Sequence, residues 1–279
     1  MSCSRKSILN ITYDKPGYAL ISRCCHLKEE NIFIKDIFSN DLDTLAKKSP
    51  LEKQHFYQCK DICDLSSHIE DVVLSGIAKC NLHCYHCCAG FDPNIGEGHP
   101  MEISLQELND RKNFFFNVLS YLRTCDLNSI TFDGTGEIFL YYDDLIRELS
   151  LFSGDKTKVI YFMTNATLLN TNKIINLLKI SKETGVQYRF CISIDGITEE
   201  TYNACRPNAD FNKVLSNLKL IQKLFPNSDV LFTVLRPNIK DVPYVEDFFK
   251  KYKVNLIWGS DYFDEEYCSK FVPVEKRYS

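Results

Sequence analysis

Four of the thirteen cysteines in this chain of 279 residues lie in one stretch, IAKCNLHCYHCCAG, at positions 77–90. Cys80, Cys84 and Cys87 follow the spacing C-x3-C-x2-C, so one short loop carries three thiols that can converge on a single centre. Cysteine thiolates are ligands for zinc and for iron–sulfur clusters. The spacing therefore predicts a metal centre, which either holds the fold together or does chemistry.

A structural zinc site is one alternative. Zinc takes four ligands, and Cys88, His83 or His86 can supply the fourth. Structural zinc sites usually pair two separated C-x2-C knuckles, and the sequence has no second knuckle of this kind. A [4Fe–4S] cluster is the other alternative. Three cysteines leave one of its irons without a protein ligand, and that iron can bind a substrate or cofactor.

The elements that must position this loop form a repeating pattern from residue 71 onward. Short runs rich in Val, Ile, Phe and Tyr alternate with helical segments, as in a parallel α/β structure, either an open sheet or a barrel. The predicted strands are 71–78, 129–134, 158–165, 187–195, 228–235 and 255–260, and the predicted helices are 104–125, 170–185 and 210–225. Such folds carry their chemistry at the carboxyl ends of the strands, and the cysteine loop follows the first strand.

Residues 1–70 precede this series and are predicted to form a small α+β segment. Its predicted strands are GYALISRCC (17–25) and NIFIKDIF (31–38), and its predicted short helices are DLDTLAKKS (41–49) and PLEKQHFYQCKD (50–61). The segment is either a structural cap on a sheet edge or an element that recognises a peptide. The predicted division of the chain is therefore a segment at 1–70, a core at 71–260 and a tail at 261–279.

The overall composition disfavours several classes of function. A net charge of −4 and a pI near 5.9 give no general attraction to nucleic acid, which disfavours a role such as tRNA modification. Residues 1–20 contain no apolar run long enough for a signal peptide, and no stretch approaches the roughly 18 apolar residues of a membrane span. We therefore expect a cytoplasmic protein without a membrane partner, where reducing conditions favour metal ligands over disulfides.

The loop CNLHCYHC, placed after the first strand of the series, resembles the cluster loop of the radical S-adenosylmethionine (radical SAM) superfamily. The family usually has an aromatic residue just before the third cysteine, and His86 stands there in this chain. Cys88 lies outside the pattern. The resemblance implies a partial (β/α)6 barrel in which Cys80, Cys84 and Cys87 bind a [4Fe–4S] cluster.

The second strand ends in FDGTGEIFL, a predicted tight turn that exposes backbone polar groups and one carboxylate. At that place the run resembles the family's Gly-Gly-Glu motif, which binds the methionyl amine of S-adenosylmethionine (SAM). Thr135 stands where glycine is commonest, and Ile138 where proline often follows. Because backbone groups do most of the binding, the resemblance implies that Gly134, Gly136 and Glu137 still bind SAM.

The third and fourth strands end in further motifs of the same family. MTNATLL resembles its T-N-G-x-x-L turn, with Ala166 in place of glycine, and Asn165 is expected to organise that loop. Ser193, Asp195 and Arg206 match, by order and spacing, family residues that lie close to the ribose and carboxylate of SAM. A guanidinium suits a carboxylate because its N–H groups can bind both oxygens.

The resemblance also implies an activity. Such an enzyme takes an electron from flavodoxin or ferredoxin, cleaves SAM reductively, and abstracts hydrogen from its substrate with a 5′-deoxyadenosyl radical. The run ISIDGITEETYNACR most resembles the sulfatase-maturing and peptide-modifying (SPASM/twitch-like) branch, which implies a peptide or protein substrate, with a small metabolite as the alternative. TVLRPNIKDV resembles the family's loop after the fifth strand, so Arg236 and Asn238 are expected to face SAM or the substrate.

The chain departs from that branch after its sixth strand. Many members carry a cysteine-rich C-terminal extension for auxiliary clusters, whereas this chain has only Cys268 there. Cys24, Cys25, Cys59 and Cys63 are candidates for a second metal, although free cysteine is also among the most buried residue types. A non-catalytic zinc- or cluster-binding module is the alternative from another class. The SAM-pocket motifs argue against it, because a purely structural cluster needs no SAM pocket.

Overall fold

The computed structural model describes residues 8–22, 30–48, 68–87, 91–92, 97–98, 103–260 and 264–273. The N-terminal elements are β1 (Ile8–Lys15), β2 (Tyr18–Ser22), β3 (Glu30–Phe33), α1 (Ile34–Ser39) and α2 (Leu42–Lys48). The elements after them are β4 (Asp71–Ser75), β5 (Phe91–Asp92), β6 (Glu97–Gly98), α3 (Leu105–Leu122), β7 (Leu127–Phe132), α4 (Tyr142–Leu149), β8 (Thr157–Thr164), α5 (Thr171–Thr184), β9 (Gln187–Ser193), α6 (Glu199–Cys205), α7 (Phe211–Leu224), β10 (Asp229–Val234), α8 (Val245–Lys250), β11 (Asn255–Ser260) and α9 (Glu265–Cys268).

One mostly parallel sheet forms the centre of the fold. Its strand order is β11-β10-β9-β8-β7-β4-β1-β2-β3, and neighbours from β4 to β11 pair in parallel. The six strands predicted from residue 71 onward are therefore confirmed. Within the described residues the sheet does not close, because β11 and β3 are its two edges. An α/β fold of the partial-barrel type is the result.

Burial explains why these strands read as continuous apolar runs. Val72, Ile130, Ile160 and Tyr188 form one row across four strands, and each is at most 3% exposed. These residues and the helices that cover the sheet form one hydrophobic core. The alternate residues of each strand face the other side of the sheet, where several are only half-buried.

The N-terminal strands extend this same sheet. β1 pairs in parallel with β4, from Ile8 beside Asp71 to Thr12 beside Ser75, and β2 and β3 follow as antiparallel neighbours. β1 was not predicted from the sequence. The predicted strand over 31–38 is wrong in its second half, where α1 forms because Ile34 and Ile37, three residues apart, both pack on the core.

The three predicted helices after residue 100 are confirmed, although α3 ends at Leu122 rather than at Cys125. Ser104 accepts a hydrogen bond from the amide of Glu107 at the start of α3 (3.1 Å), and Asn170 and Asp210 cap α5 and α7 in the same way. Gly185 ends α5 in the left-handed conformation, with φ of 75°. The helices α4, α6 and α8 were not predicted. No helix of the described residues is both long and apolar enough to cross a membrane.

Several predictions lie outside the described residues. They are the predicted helix at 50–61, the candidate ligand Cys88, and the possible second-metal cysteines Cys24, Cys25, Cys59 and Cys63. The described part does place the carboxyl ends of β4, β7, β8 and β9 side by side, because these strands are parallel neighbours. The loops that carry the sequence motifs therefore meet at one edge of the sheet.

Candidate metal centre

The loop after β4 carries the three cysteines of the motif. Cys84 is buried, and Cys80 and Cys87 are partly buried against the hydrophobic core. The backbone before Cys80 is tied to the loop after β7, because the amide of Ala78 donates to the carbonyl of Thr135 at 2.8 Å. The cysteine loop is thus held by a neighbouring loop as well as by its own strand.

The sulfurs of Cys80 and Cys84 accept hydrogen bonds from other parts of the chain. Asn165, after β8, donates its side-chain amide to Cys80 Sγ at 3.6 Å, and the backbone amide of Leu82 donates to the same sulfur at 3.4 Å. Arg206, after α6, donates from Nη1 to Cys84 Sγ at 3.4 Å. N–H donors aimed at sulfur suit thiolates that bind iron, because such bonds set the charge and potential of a cluster.

Burial also governs the protonation of these thiols. It raises the pKa of Cys80 to about 11. Burial likewise raises the pKa of Cys84, although the nearby Arg206 acts in the opposite direction. Because a thiol must lose its proton to bind metal, loading of the centre releases protons and is favoured as the pH rises.

A single zinc ion and a [4Fe–4S] cluster need different arrangements of their ligands. Among the described residues, no three His, Cys, Asp or Glu side chains converge closely enough to hold one metal ion. A zinc ion holds every ligand at about 2.0–2.3 Å, whereas each thiolate of a [4Fe–4S] cluster binds a different iron. Three thiolates on one loop match such a cluster, which takes one thiolate at each of three irons and leaves the fourth iron open.

The loop after β7 is the predicted glycine turn. Gly136 has φ of 120°, and a Cβ atom there would lie 2.8 Å from the carbonyl oxygen of Lys79 and 3.0 Å from the amide nitrogen of Ala78. The next amide, that of Glu137, donates to the same Lys79 carbonyl at 2.8 Å. Only glycine allows the turn to approach the backbone of the cysteine loop this closely.

The carboxylate of Glu137 lies inside the protein. The residue is 1% exposed, and its oxygens accept from the amides of Phe139 (3.1 Å) and Asn165 (2.9 Å) and from the hydroxyl of Thr164 (2.9 Å). Burial raises the pKa of Glu137, and these hydrogen bonds oppose the rise. The backbone of the turn is thus bonded to the cysteine loop, and its one carboxylate joins the loops after β7 and β8.

Asn165 organises the loop after β8, as the sequence analysis expected. Its side-chain oxygen Oδ1 accepts from the hydroxyl of Thr167 at 2.6 Å. Its side-chain nitrogen Nδ2 donates to the side-chain oxygen of Asn81, in the cysteine loop, at 3.2 Å. Ala166 adopts the left-handed conformation (φ 57°), which explains why glycine is usual there. Asn217 of α7 supports the bend by donating to the Ala166 carbonyl at 3.0 Å.

A buried ion pair joins Asp195, in the loop after β9, to Arg206, which follows α6. Asp195 is fully buried and Arg206 is 6% exposed, and both Nε and Nη2 of Arg206 lie 2.6 Å from Asp195 Oδ2. The other carboxylate oxygen accepts from the amide of Thr233 at 2.8 Å. His86 Nε2 lies 3.8 Å from Asp195 Oδ2, so the pair also borders the cysteine loop. Ser193 ends β9 and is half-buried.

Two residues of the loop after β10 have different surroundings. Asn238 is fully buried and donates to the backbone carbonyls of Asp195 (3.0 Å) and Thr233 (2.8 Å), so it supports the ion pair from behind. Arg236 is exposed, pairs with Asp264 at 2.5 Å, and lies over the ring of Tyr267. The supporting roles of Asn81, Asn217 and Asn238 carry no spacing signal in the sequence.

Comparison with known proteins gives the following matches. The model of the "Radical SAM superfamily" matches residues 74–249, which is more than half of the chain. A protein of Methanosarcina barkeri named Fe-coproporphyrin III synthase is 27% identical over 190 residues, covering 67% of this chain and 42% of that protein.

The solved structures that match this chain include two proteins bound to S-adenosylmethionine. The structure "Native anSMEcpe with bound AdoMet" has a TM-score of 0.47 at 19% identity and covers 68% of this chain and 52% of that one. Streptococcus suis SuiB bound to S-adenosylmethionine has a TM-score of 0.49 at 13% identity and covers 68% of this chain and 40% of that one. The chain spans about half the length, or less, of these relatives.

Proposed function

This chain belongs to the radical SAM superfamily, and we propose that it cleaves SAM reductively and abstracts hydrogen from a peptide or protein. The observation that carries the proposal is the C-x3-C-x2-C loop at the carboxyl end of β4, with N–H donors aimed at the sulfurs of Cys80 and Cys84. The family's cofactors are a [4Fe–4S] cluster and SAM. Cys80, Cys84 and Cys87 are the residues that would hold the cluster.

The loops after β7, β8 and β9 form the proposed SAM pocket. It comprises the residues that the family resemblance implies, namely Gly134, Gly136, Glu137, Asn165, Ser193, Asp195 and Arg206. The cysteine loop is contacted by the backbone carbonyl of Thr135, the side-chain amide of Asn165 and the guanidinium of Arg206, which follows α6. Because the carboxylate of Glu137 is enclosed, the glycine turn would contribute its backbone groups.

The bound cofactors would supply a one-electron cleavage of SAM to methionine and a 5′-deoxyadenosyl radical. The chain's own part is to orient SAM and to keep water and oxygen away from the centre. Cys84, Asp195 and Arg206 are all buried, which supports that role. We propose flavodoxin or ferredoxin as the electron donor and the cytoplasm as the location, since a reducing compartment suits thirteen cysteines.

The open sheet supports a large substrate. Within the described residues the sheet ends at β11 on one side and at β3 on the other, so the barrel leaves a lateral opening for a peptide. We propose that residues 1–70 act as a structural cap of the 71–260 core, because β1 covers the edge of β4 that would otherwise be unpaired. In the described part of the proposed tail, Asp264 pairs with Arg236.

The substrate class can be tested with peptides encoded by short reading frames beside the gene. Each peptide is incubated anaerobically with reconstituted protein, SAM and dithionite, and its mass is then measured. We expect one peptide to change mass with the wild-type chain and to stay unchanged with Cys87→Ala, which lacks one cluster ligand. A matched control is Cys125→Ala, since Cys125 lies near the end of α3, outside the cysteine loop.

A small metabolite is the second candidate substrate. The observation that favours it is the 27% identity to the protein named Fe-coproporphyrin III synthase. The same incubation is therefore repeated with tetrapyrrole carboxylates in place of peptides. Conversion of a tetrapyrrole, with every peptide unchanged, would replace the peptide assignment with this one.

A further inference from the structure

Arg206 has a set of partners that the proposed SAM pocket does not explain. Two of its nitrogens, Nε and Nη2, lie 2.6 Å from one oxygen of Asp195, and the third, Nη1, lies 3.4 Å from Cys84 Sγ. The residue is only 6% exposed. These contacts give the guanidinium a role beyond its place in the proposed SAM pocket.

Asp195 fixes the direction of this guanidinium. Its Oδ2 atom binds Arg206, and its Oδ1 atom accepts from the amide of Thr233 at 2.8 Å. Asn238, fully buried, donates to its backbone carbonyl at 3.0 Å. Because Asp195 is held at three points, it presents Nη1 of Arg206 to the sulfur of Cys84 in a defined geometry.

The sulfurs of Cys80 and Cys84 accept from different kinds of donor. Cys80 receives a neutral amide, Asn165 Nδ2, at 3.6 Å, whereas Cys84 receives a charged guanidinium at 3.4 Å. A hydrogen bond from a charged donor is stronger than one from a neutral donor. A positive donor at a ligand sulfur favours the reduced, more negative state of an iron–sulfur cluster.

We propose that Arg206, oriented by Asp195, is a positioning residue that holds Cys84 and raises the reduction potential of the cluster. The proposal rests on the proposed function, in which Cys84 is a cluster ligand. The S–S bond of dithionite breaks to give two sulfur dioxide radical anions. Each passes one electron to an oxidised cluster and is itself oxidised to sulfite, and no covalent bond of the protein changes. Arg206 favours the reduced cluster because the N–H dipole of Nη1 and its share of the positive charge point at the sulfur of Cys84.

The test is a potentiometric titration of the anaerobically reconstituted protein, followed by the electron paramagnetic resonance of the reduced cluster. In Arg206→Gln we expect the ratio of reduced to oxidised cluster at a fixed potential to fall about tenfold, which is about 59 mV for one electron. Arg206→Lys, which keeps the charge, should have a ratio of reduced to oxidised cluster close to that of the wild type. Arg236→Gln, a change of an exposed arginine, should leave it unchanged.

A second measurement separates this role from binding of SAM. If Arg206 instead holds the carboxylate of SAM, Arg206→Gln keeps the wild-type potential and weakens equilibrium binding of SAM by more than tenfold, and the proposal is overturned. If Arg206→Gln does not fold, the double variant Asp195→Asn/Arg206→Gln is titrated, because it leaves no unpaired buried charge. A wild-type potential in that variant also overturns the proposal. Failure of the proposed function is distinct, since the wild-type chain itself would then bind no cluster.

Discussion

Gly136→Ala is expected to lose most of its cluster iron and to unfold at a lower temperature than the wild type. The left-handed φ of 120° alone costs an alanine about 1–3 kcal/mol. The new Cβ would also lie 2.8 Å from the Lys79 carbonyl oxygen and 3.0 Å from the Ala78 amide nitrogen, both backbone atoms of the cysteine loop. The loop must shift to make room, and Cys80 shifts with it.

Gly134→Ala is the matched control for this change. A Cβ at Gly134 meets only the Cβ of Met163, at 3.9 Å, which is an ordinary contact. Iron per chain after reconstitution and the thermal midpoint of the apoprotein should therefore equal those of the wild type. If Gly136→Ala and Gly134→Ala both matched the wild type in iron per chain and in thermal midpoint, the glycine turn would not hold the cysteine loop.

Asp195→Ala is expected to lower the free energy of unfolding by about 3–5 kcal/mol, because it leaves the guanidinium of Arg206 buried without its counter-ion. The amide of Thr233 loses its acceptor in the same variant. For a protein whose total stability is typically about 5–15 kcal/mol, the loss is large. Urea unfolding of the apoprotein, followed by circular dichroism, measures it.

The control for this prediction is Asp126→Ala. Asp126 pairs with Lys156 at 2.9 Å, but their side chains are 75% and 46% exposed. Exposed ion pairs contribute about 0–1 kcal/mol, so this variant should be close to the wild type. A similar, small loss in both variants would show that the Asp195–Arg206 pair is no more important than a surface contact.

Much of the fold could be predicted because local patterns agree with tertiary burial. The six parallel strands are continuous apolar runs, and the caps at Ser104, Asn170 and Gly185 are local signals that the tertiary structure keeps. β1 has a local signal of another kind, since buried Leu9, Ile11 and Tyr13 alternate with less buried residues, but this pattern does not place the strand in the sheet. It is set by its pairing with β4, about sixty residues away, and only that pairing decides that it continues the sheet.

Part of the candidate site could likewise be predicted from the sequence, and part of it depends on tertiary packing. The spacing of Cys80, Cys84 and Cys87 is a local property, so the sequence contains it. The directions of buried side chains depend on contacts between loops. The enclosure of Glu137 by the loop after β8, and the contact of Arg206 with Cys84, are of that kind. Sequence order placed both residues in the right loops, but only packing determines what their polar atoms bind.

The central claim, that the cysteine loop holds a cluster which cleaves SAM, is tested most directly by one experiment. The protein is reconstituted anaerobically with iron and sulfide, and iron per chain and 5′-deoxyadenosine are measured after addition of SAM and dithionite. The account predicts about four irons per chain, one [4Fe–4S] cluster, and 5′-deoxyadenosine, with both lost in Cys84→Ala. Tightly bound zinc without 5′-deoxyadenosine in the wild-type chain would contradict it.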